Sequence, residues 1–432
     1  MLLKKLETGA TRSPKKRRAR NATLVICILA IAFFGYRLAL IYKHSKVMPV
    51  VATQDQTPDP STITDPAGIT QSPAVAQETI DGSTPGTIAK ATQPIGTSYA
   101  PVKNVPQEVG IAMGSQLTGL NDADLNKEVI AMQSLGVKLV RFDMEWGFVQ
   151  YSSSSKYDWS RYDRIINALN AHGIKGMAIL TYTPEWARTP GCSGGAHCPP
   201  NNPTDYATYA AAAVNRYKSK GIHYWEIWNE ENDYDFWATK SDCNAYTALL
   251  KAVYPAIKKA DPTAYVVTGG LAQVANTNVN IAPLDFLQCI YKDGGKDYFD
   301  AVGYHPYTYP AFPSSNTTNA WARMSTGTPS LRSIMIANGD GNKQIWMTEY
   351  GTPTNGPDPK WFVSEADQAK MLTDVVNVYK TDSWAGPLFW YTFKDGGTTT
   401  DTNENFFGLV HPDYSQKPAY QTMKDILASG LN

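Results

Sequence analysis

Net charge is what this chain most plainly lacks: 39 Lys and Arg are balanced by 39 Asp and Glu, so no overall field draws it to nucleic acid. Phosphate-binding loops are missing too. There is neither a P-loop nor a Gly-x-Ser-x-Gly nucleophile elbow, and Ala112-Met113-Gly114-Ser115, after the first strand-like run, is not a dinucleotide fingerprint. Cysteine is scarce, at five. Cys192 and Cys198 flank His197, but the fourth ligand of a zinc site is wanting; no metal or cofactor is expected. Long hydrophobic runs are absent as well, with one exception near the N-terminus.

That exception follows a basic segment. Residues 1–21 carry Lys4, Lys5, Arg12, Lys15, Lys16, Arg17, Arg18 and Arg20, and the apolar run 22–42 is long enough to cross a bilayer as a helix. Arg37 interrupts it near its outer end, where the side chain can snorkel to the interface. Basic residues before the run outnumber those after it, Lys43 and Lys46, which predicts an uncleaved transmembrane anchor with a cytoplasmic N-terminus and an exported remainder. Val50-Val51-Ala52 offers the alternative of a cleaved signal peptide and a secreted protein. A nucleic-acid-binding arm is a weaker third reading, because the basic cluster abuts the apolar run directly. Residues 43–105 are rich in Thr, Pro, Gln, Ser and Ala with no sustained apolar period, and read as a disordered linker. The compact part is then 106–432, held outside the cytoplasm at the cell surface.

Within it, short apolar runs alternate with amphipathic segments. The runs are 109–113, 138–142, 174–180, 224–228, 265–268, 301–304, 345–348 and 388–392. Helical patterns lie between them, among them 122–135, 158–171, 203–218, 243–259, 365–379 and 417–427, several opened by Asp, Ser or Pro and closed by Gly. Strands alternating with helices imply a parallel sheet, and eight units of about 41 residues suggest a closed (β/α)8 barrel over an open doubly wound sheet.

Two acids stand out against this pattern. Glu230 closes Trp225-Glu226-Ile227-Trp228-Asn229-Glu230, and Glu349 lies in Ile345-Trp346-Met347-Thr348-Glu349-Tyr350-Gly351. A carboxylate that ends a buried strand is costly to desolvate and is retained for pairing, metal binding or catalysis. Salt bridges at two strand ends are the plain alternative. The pair is nearly three units apart, which places both at the C-terminal ends of strands four and seven, the face where such barrels carry active sites.

At these residues the chain resembles the clan A glycoside hydrolases, whose (β/α)8 barrels carry an Asn-Glu acid/base after strand four and a nucleophilic Glu after strand seven. Trp228-Asn229-Glu230 is similar to the first motif and Thr348-Glu349-Tyr350-Gly351 to the second. Arg141 on strand two, His305 and Tyr307 after strand six, and Trp390 on strand eight fall where the family would place substrate-binding residues. Thr183-Pro184-Glu185-Trp186-Ala187 resembles family 39, the β-xylosidase and iduronidase group, and adds Trp186. Glu231 stands where family 39 usually has Pro, and the His that family 5 cellulases carry after strand three is absent. The resemblance implies a retaining β-glycosidase acting on a poly- or oligosaccharide as a monomeric catalytic domain. A non-catalytic carbohydrate-binding surface protein on the same barrel is the alternative. It also implies a cis peptide after the strand-eight Trp, between Trp390 and Tyr391.

The chemistry requires one ionised and one protonated carboxyl at the same pH, so their environments must differ. Arg141 and Tyr307 would favour the carboxylate form of Glu349, whose charge helps Glu230 keep its proton until the sugar is attached. Asn229 suits a hydrogen bond to a sugar 2-hydroxyl. Arg141 has a plain reading as an ion-pair partner, His305 as a satisfied core residue, and Trp186 and Trp390 as core aromatics. Trp146, Tyr182, Trp237, Tyr309 and Trp361 are further candidate sugar platforms, and Asp143, Glu145, Glu185, Glu226 and Glu231 are acids near the same face. Of the cysteines, Cys27 lies in the apolar run. The other four allow three pairings; Cys192 with Cys198 closes a short Gly-rich loop, and Cys243 with Cys289 would link helix four to helix five.

Overall fold

Eight short strands, each followed by a helix, pair in sequence order and close on themselves. The computed structural model describes residues 103–315 and 317–431. The basic segment, the apolar run 22–42 and the linker up to residue 102 lie outside the described residues, and no helix among the described residues is long and apolar enough to cross a membrane. The strands are β1 (Val109–Ala112), β2 (Leu139–Glu145), β3 (Lys175–Thr181), β4 (Tyr224–Ile227), β5 (Tyr265–Thr268), β6 (Ala301–Tyr304), β7 (Gln344–Tyr350) and β8 (Ala385–Tyr391). The principal helices are α1 (Asp122–Leu135), α2 (Ser160–Ala171), α3 (Pro203–Tyr217), α4 (Cys243–Ala260), α5 (Pro283–Lys292), α6 (Leu331–Ala337), α7 (Glu365–Thr381) and α8 (Pro418–Ser429). All eight predicted strands are present. A barrel strand is covered on both faces, by the interior and by the helices, and so reads as a continuous apolar run. Helix starts follow side-chain capping: Asn121, Asn202, Asp242 and Ser364 each accept a first-turn backbone N–H, of α1, α3, α4 and α7.

Register decides which side chains face inward. Tyr391, Ala112, Arg141, Met177, Tyr224 and Tyr265 stand side by side across β8, β1, β2, β3, β4 and β5. Beneath this layer Trp346 stacks on Tyr265 with ring centroids 5.0 Å apart and meets Tyr224 edge-on. Leu139, Val267, Ala301 and Phe389 complete the cluster. A Cβ on Gly386 would come within 2.3 Å of the Trp346 ring, so β8 can approach that indole only as glycine. Val105, on the linker side of the boundary expected at Pro106, is buried in the same cluster. Its N–H and C=O both bond the Gln344 side chain, at 3.0 and 2.7 Å.

Trp390 departs from expectation. It shares register with Ile111 and Tyr350, one residue out of phase with the inward layer. Since strand side chains alternate, it faces away from the interior and packs on Tyr350. The inward position belongs to Tyr391, and the cis peptide expected after Trp390 falls one residue later, between Tyr391 and Thr392. Leu388-Phe389-Trp390-Tyr391 is apolar at every position, so its pattern carries no parity, and a slip of one residue exchanges the faces.

Both expected disulfides are present, Cys192–Cys198 in the loop after β3 and Cys243–Cys289 between α4 and α5. With two of its three members so bonded, the Cys-His-Cys triplet cannot serve as a zinc site.

Candidate active site

Glu230 reaches the mouth of the barrel through a tight departure from β4. Trp228 (φ 72°) and Glu230 (φ 52°) adopt the left-handed region, which costs roughly 1–3 kcal/mol at a bulky residue. The surroundings hold them there. The Trp228 indole donates to the Phe236 carbonyl at 2.8 Å and packs edge-on against Tyr182 and Trp237. The Glu230 N–H donates to the Gly270 carbonyl at 3.2 Å. On β7, strict alternation would send Thr348 and Glu349 to opposite faces. The pairing of β7 with β8 is irregular between Met347 and Tyr350, and both side chains contact site residues.

Arg141 joins the two halves. Wholly buried, its guanidinium donates to Glu226 Oε2 at 2.6 Å, Glu349 Oε1 at 2.5 Å and Asn229 Oδ1 at 2.8 Å. Because a guanidinium only donates, the Asn229 atom facing it is the oxygen, and the Asn229 NH₂ is left to donate elsewhere. Lys offers a single point charge where three separated acceptors need a planar fork. Arg141→Lys is therefore expected to lower kcat/KM by on the order of 100-fold and to destabilise the barrel by about 2 kcal/mol, the usual scale for leaving a buried acceptor without its donor. Steady-state kinetics with thermal melts check this, and a variant near wild type in both would contradict it.

His305 sits between the two glutamates. Its Nδ1 is 2.8 Å from Glu230 Oε1 and 3.7 Å from Glu349 Oε2, and its Nε2 is 3.1 Å from the Thr348 hydroxyl. The ring fits because residue 270 has no side chain: a Cβ there would stand 2.0 Å from Nε2. Burial alone would lower the imidazole, but the charge of Glu349 and the bond and charge of Glu230 outweigh it, and the His305 pKa is raised. Burial alone would raise the Glu349 carboxyl. His305, Arg141 and a 2.8 Å bond from the Tyr307 hydroxyl to Oε2 reverse that and hold it below the ordinary carboxylate range.

Among the predicted site residues, Arg141, Asn229, Glu230, His305, Tyr307 and Glu349 are thus brought together. Trp186 is set apart from them: its indole donates to the Gln150 carbonyl at 2.7 Å and meets Trp146 edge-on. Trp390 faces the other way, and Trp146 and Trp237 are too buried to serve as sugar platforms. Glu226 is Arg141's partner, and Glu231 has no exposure, so burial pushes its carboxyl well above the ordinary range. Asp143 and Glu145 follow Arg141 at inward positions of β2; burial, opposed by Arg141 and Arg161 respectively, pushes each up to about 7. Tyr391 and Glu404 were not legible as site residues. The Tyr391 hydroxyl donates to Glu404 at 3.2 Å, and Glu404, exposed on the loop after β8, is near enough to Glu349 to feel its charge.

Glycoside hydrolases of clan A are built on this plan, and the chain is one of them. Residues 106–392 match the family model described as cellulase, glycosyl hydrolase family 5, and the chain belongs to that family. Solved structures agree in fold. A family 39 glycoside hydrolase from the gut symbiont Bacteroides cellulosilyticus WH2 is 24% identical with a TM-score of 0.59, over 76% of this chain and 66% of that one. A GH39 β-xylosidase from Caulobacter crescentus is 23% identical with a TM-score of 0.57, over 76% and 73%. An exo-β-1,4-mannosidase from Opitutaceae bacterium strain TAV5 is 17% identical with a TM-score of 0.55, over 78% and 62%. The chain therefore spans a little under two thirds of the length of the first of these. No curated protein matches it.

Proposed function

We propose that the chain is a retaining β-glycosidase that hydrolyses a poly- or oligosaccharide by double displacement, with Glu349 as nucleophile and Glu230 as acid/base. The position of His305 carries this reading. A nitrogen 2.8 Å from one carboxylate oxygen and 3.7 Å from the other caps their separation at about 6.5 Å, the lower edge of the spacing of an inverting pair, whereas retaining pairs stand about 5 to 5.5 Å apart. Each Glu349 oxygen has one donor, Arg141 or Tyr307, which favours an ionised nucleophile aimed by two fixed hydrogen bonds. Glu230 gives its proton to the leaving oxygen. Once Glu349 is an ester its charge is gone, and Glu230 can take a proton from the incoming water. The Asn229 NH₂, turned away from Arg141, is suited to the 2-hydroxyl.

Proton NMR of the first-formed product tests the assignment: the β-anomer is expected before mutarotation, and an α-anomer overturns it. We place the enzyme outside the cytoplasm on a membrane anchor, the reading of residues 1–42; fractionation of cells making the full chain checks this.

The pH profile follows from the shifts. Glu349 lies below its ordinary 4.5, so its stabilising contribution is present above that value and lost as pH falls through the folded value. His305 lies above its ordinary 6.5, so its contribution is complete below 6.5 and lost as pH rises through the folded value. The kcat/KM profile should have its acid limb, where the nucleophile Glu349 gains a proton, below pH 4.5. An acid limb centred above about pH 5, beyond the ordinary carboxylate range, would count against Glu349 as the ionised group.

A further inference from the structure

Of the six large apolar side chains exposed among the described residues, Phe148, Tyr151 and Tyr157 fall in the single loop between β2 and α2. Tyr151 is 82% exposed and makes no hydrogen bond or ring contact among the described residues. It and Phe148 border a groove of about 460 Å³ between the loop after β1 and the start of α2, shared with Asn121, Asp158, Arg161 and Arg164. That volume is in the range of small-molecule sites. The groove opens at the C-terminal ends of β1 and β2, on the same face as Glu230 and Glu349.

Its lining has the two halves that sugar rings need. Aromatic faces cover the apolar C–H side of a pyranose, and planar side chains meet its hydroxyls. Arg161 stacks on one face of Phe148, 4.4 Å from the ring centroid, and donates to the Thr118 carbonyl. Arg164 is paired with Asp122 and bonded to the Leu120 carbonyl. With both cations engaged, the groove suits a neutral ligand better than a phosphate or a uronate. The Trp186 indole is bonded to the carbonyl of Gln150, the residue before Tyr151 in the chain.

We propose that this groove is a distal subsite for neutral sugar units of the polysaccharide whose scissile bond lies over Glu230 and Glu349. The proposal rests on the glycosidase reading above and deepens it by assigning a polymer as substrate.

Affinity electrophoresis tests it, with hydroxyethylcellulose, xylan and glucomannan as probes and Glu349→Gln as the background that prevents cleavage. Glu349→Gln is expected to be retarded by at least one of the three polymers. Adding Phe148→Ala and Tyr151→Ala is expected to weaken that retardation at least tenfold, with a melting temperature close to the parent's because both side chains are exposed. Equal retardation of both proteins, or none by any polymer, overturns the subsite. The two readings fail separately. If wild type gives an inverted product, the double-displacement assignment falls; if it cleaves with retention while the double substitution leaves binding unchanged, only the subsite does.

Discussion

Glu349→Gln is expected to abolish turnover, lowering kcat by roughly 10⁴-fold or more, the scale on which loss of a nucleophile is felt. An amide oxygen does not attack the anomeric carbon at a useful rate, so no glycosyl-enzyme forms. The fold should survive the change. Glutamine can keep its oxygen toward Arg141, which only donates, and turn its NH₂ to the Tyr307 hydroxyl, which can accept. Arg141 retains Glu226 and Asn229 as partners. Binding of substrate should therefore persist while catalysis is lost, and mass spectrometry with a slow fluorinated glycoside should find label on wild type only. Label on the variant, or undiminished turnover, would remove Glu349 from the role.

Glu230→Ala should instead give a defect that depends on the leaving group. An activated aryl glycoside needs little protonation, so its first step survives and a burst of phenol is released, while a poor leaving group is cleaved at least about 10²-fold more slowly, the range of general-acid catalysis. Deglycosylation stalls for want of a base. Azide needs none and enters the small space vacated by the side chain, so turnover should be restored with a β-glycosyl azide as product. The variant frees His305 Nδ1 of its partner but leaves Nε2 at Thr348, which keeps the ring in place. An α-configured azide, or equal losses on good and poor leaving groups, would be incompatible with Glu230 as acid/base of a retaining enzyme.

Much of this architecture could be read from residue patterns because the barrel's demands are local. Strands buried on both faces are apolar throughout, helix starts carry their caps, and the glutamates sit in unusually apolar surroundings. What escaped is set by closure of the sheet. Whether Trp390 or Tyr391 points inward depends on how β8 docks between β7 and β1. The turn at Trp228 and Glu230 needs φ values that neither residue type advertises. Glu404 lies in a polar, Gly- and Thr-rich stretch after β8, and only the return of that loop brings it near Glu349. α6 is seven residues long, too short for its period to show.

The hydrogen bonds between Val105 and Gln344 have a practical consequence. Gln344 opens β7 and Glu349 comes near its other end, so the chain enters the barrel at the end opposite the catalytic mouth, about 15 Å away along the strand. A bead, chip or fusion partner joined through residue 103 would grip the closed floor of the domain and leave the mouth facing outward, accessible even to an insoluble polymer.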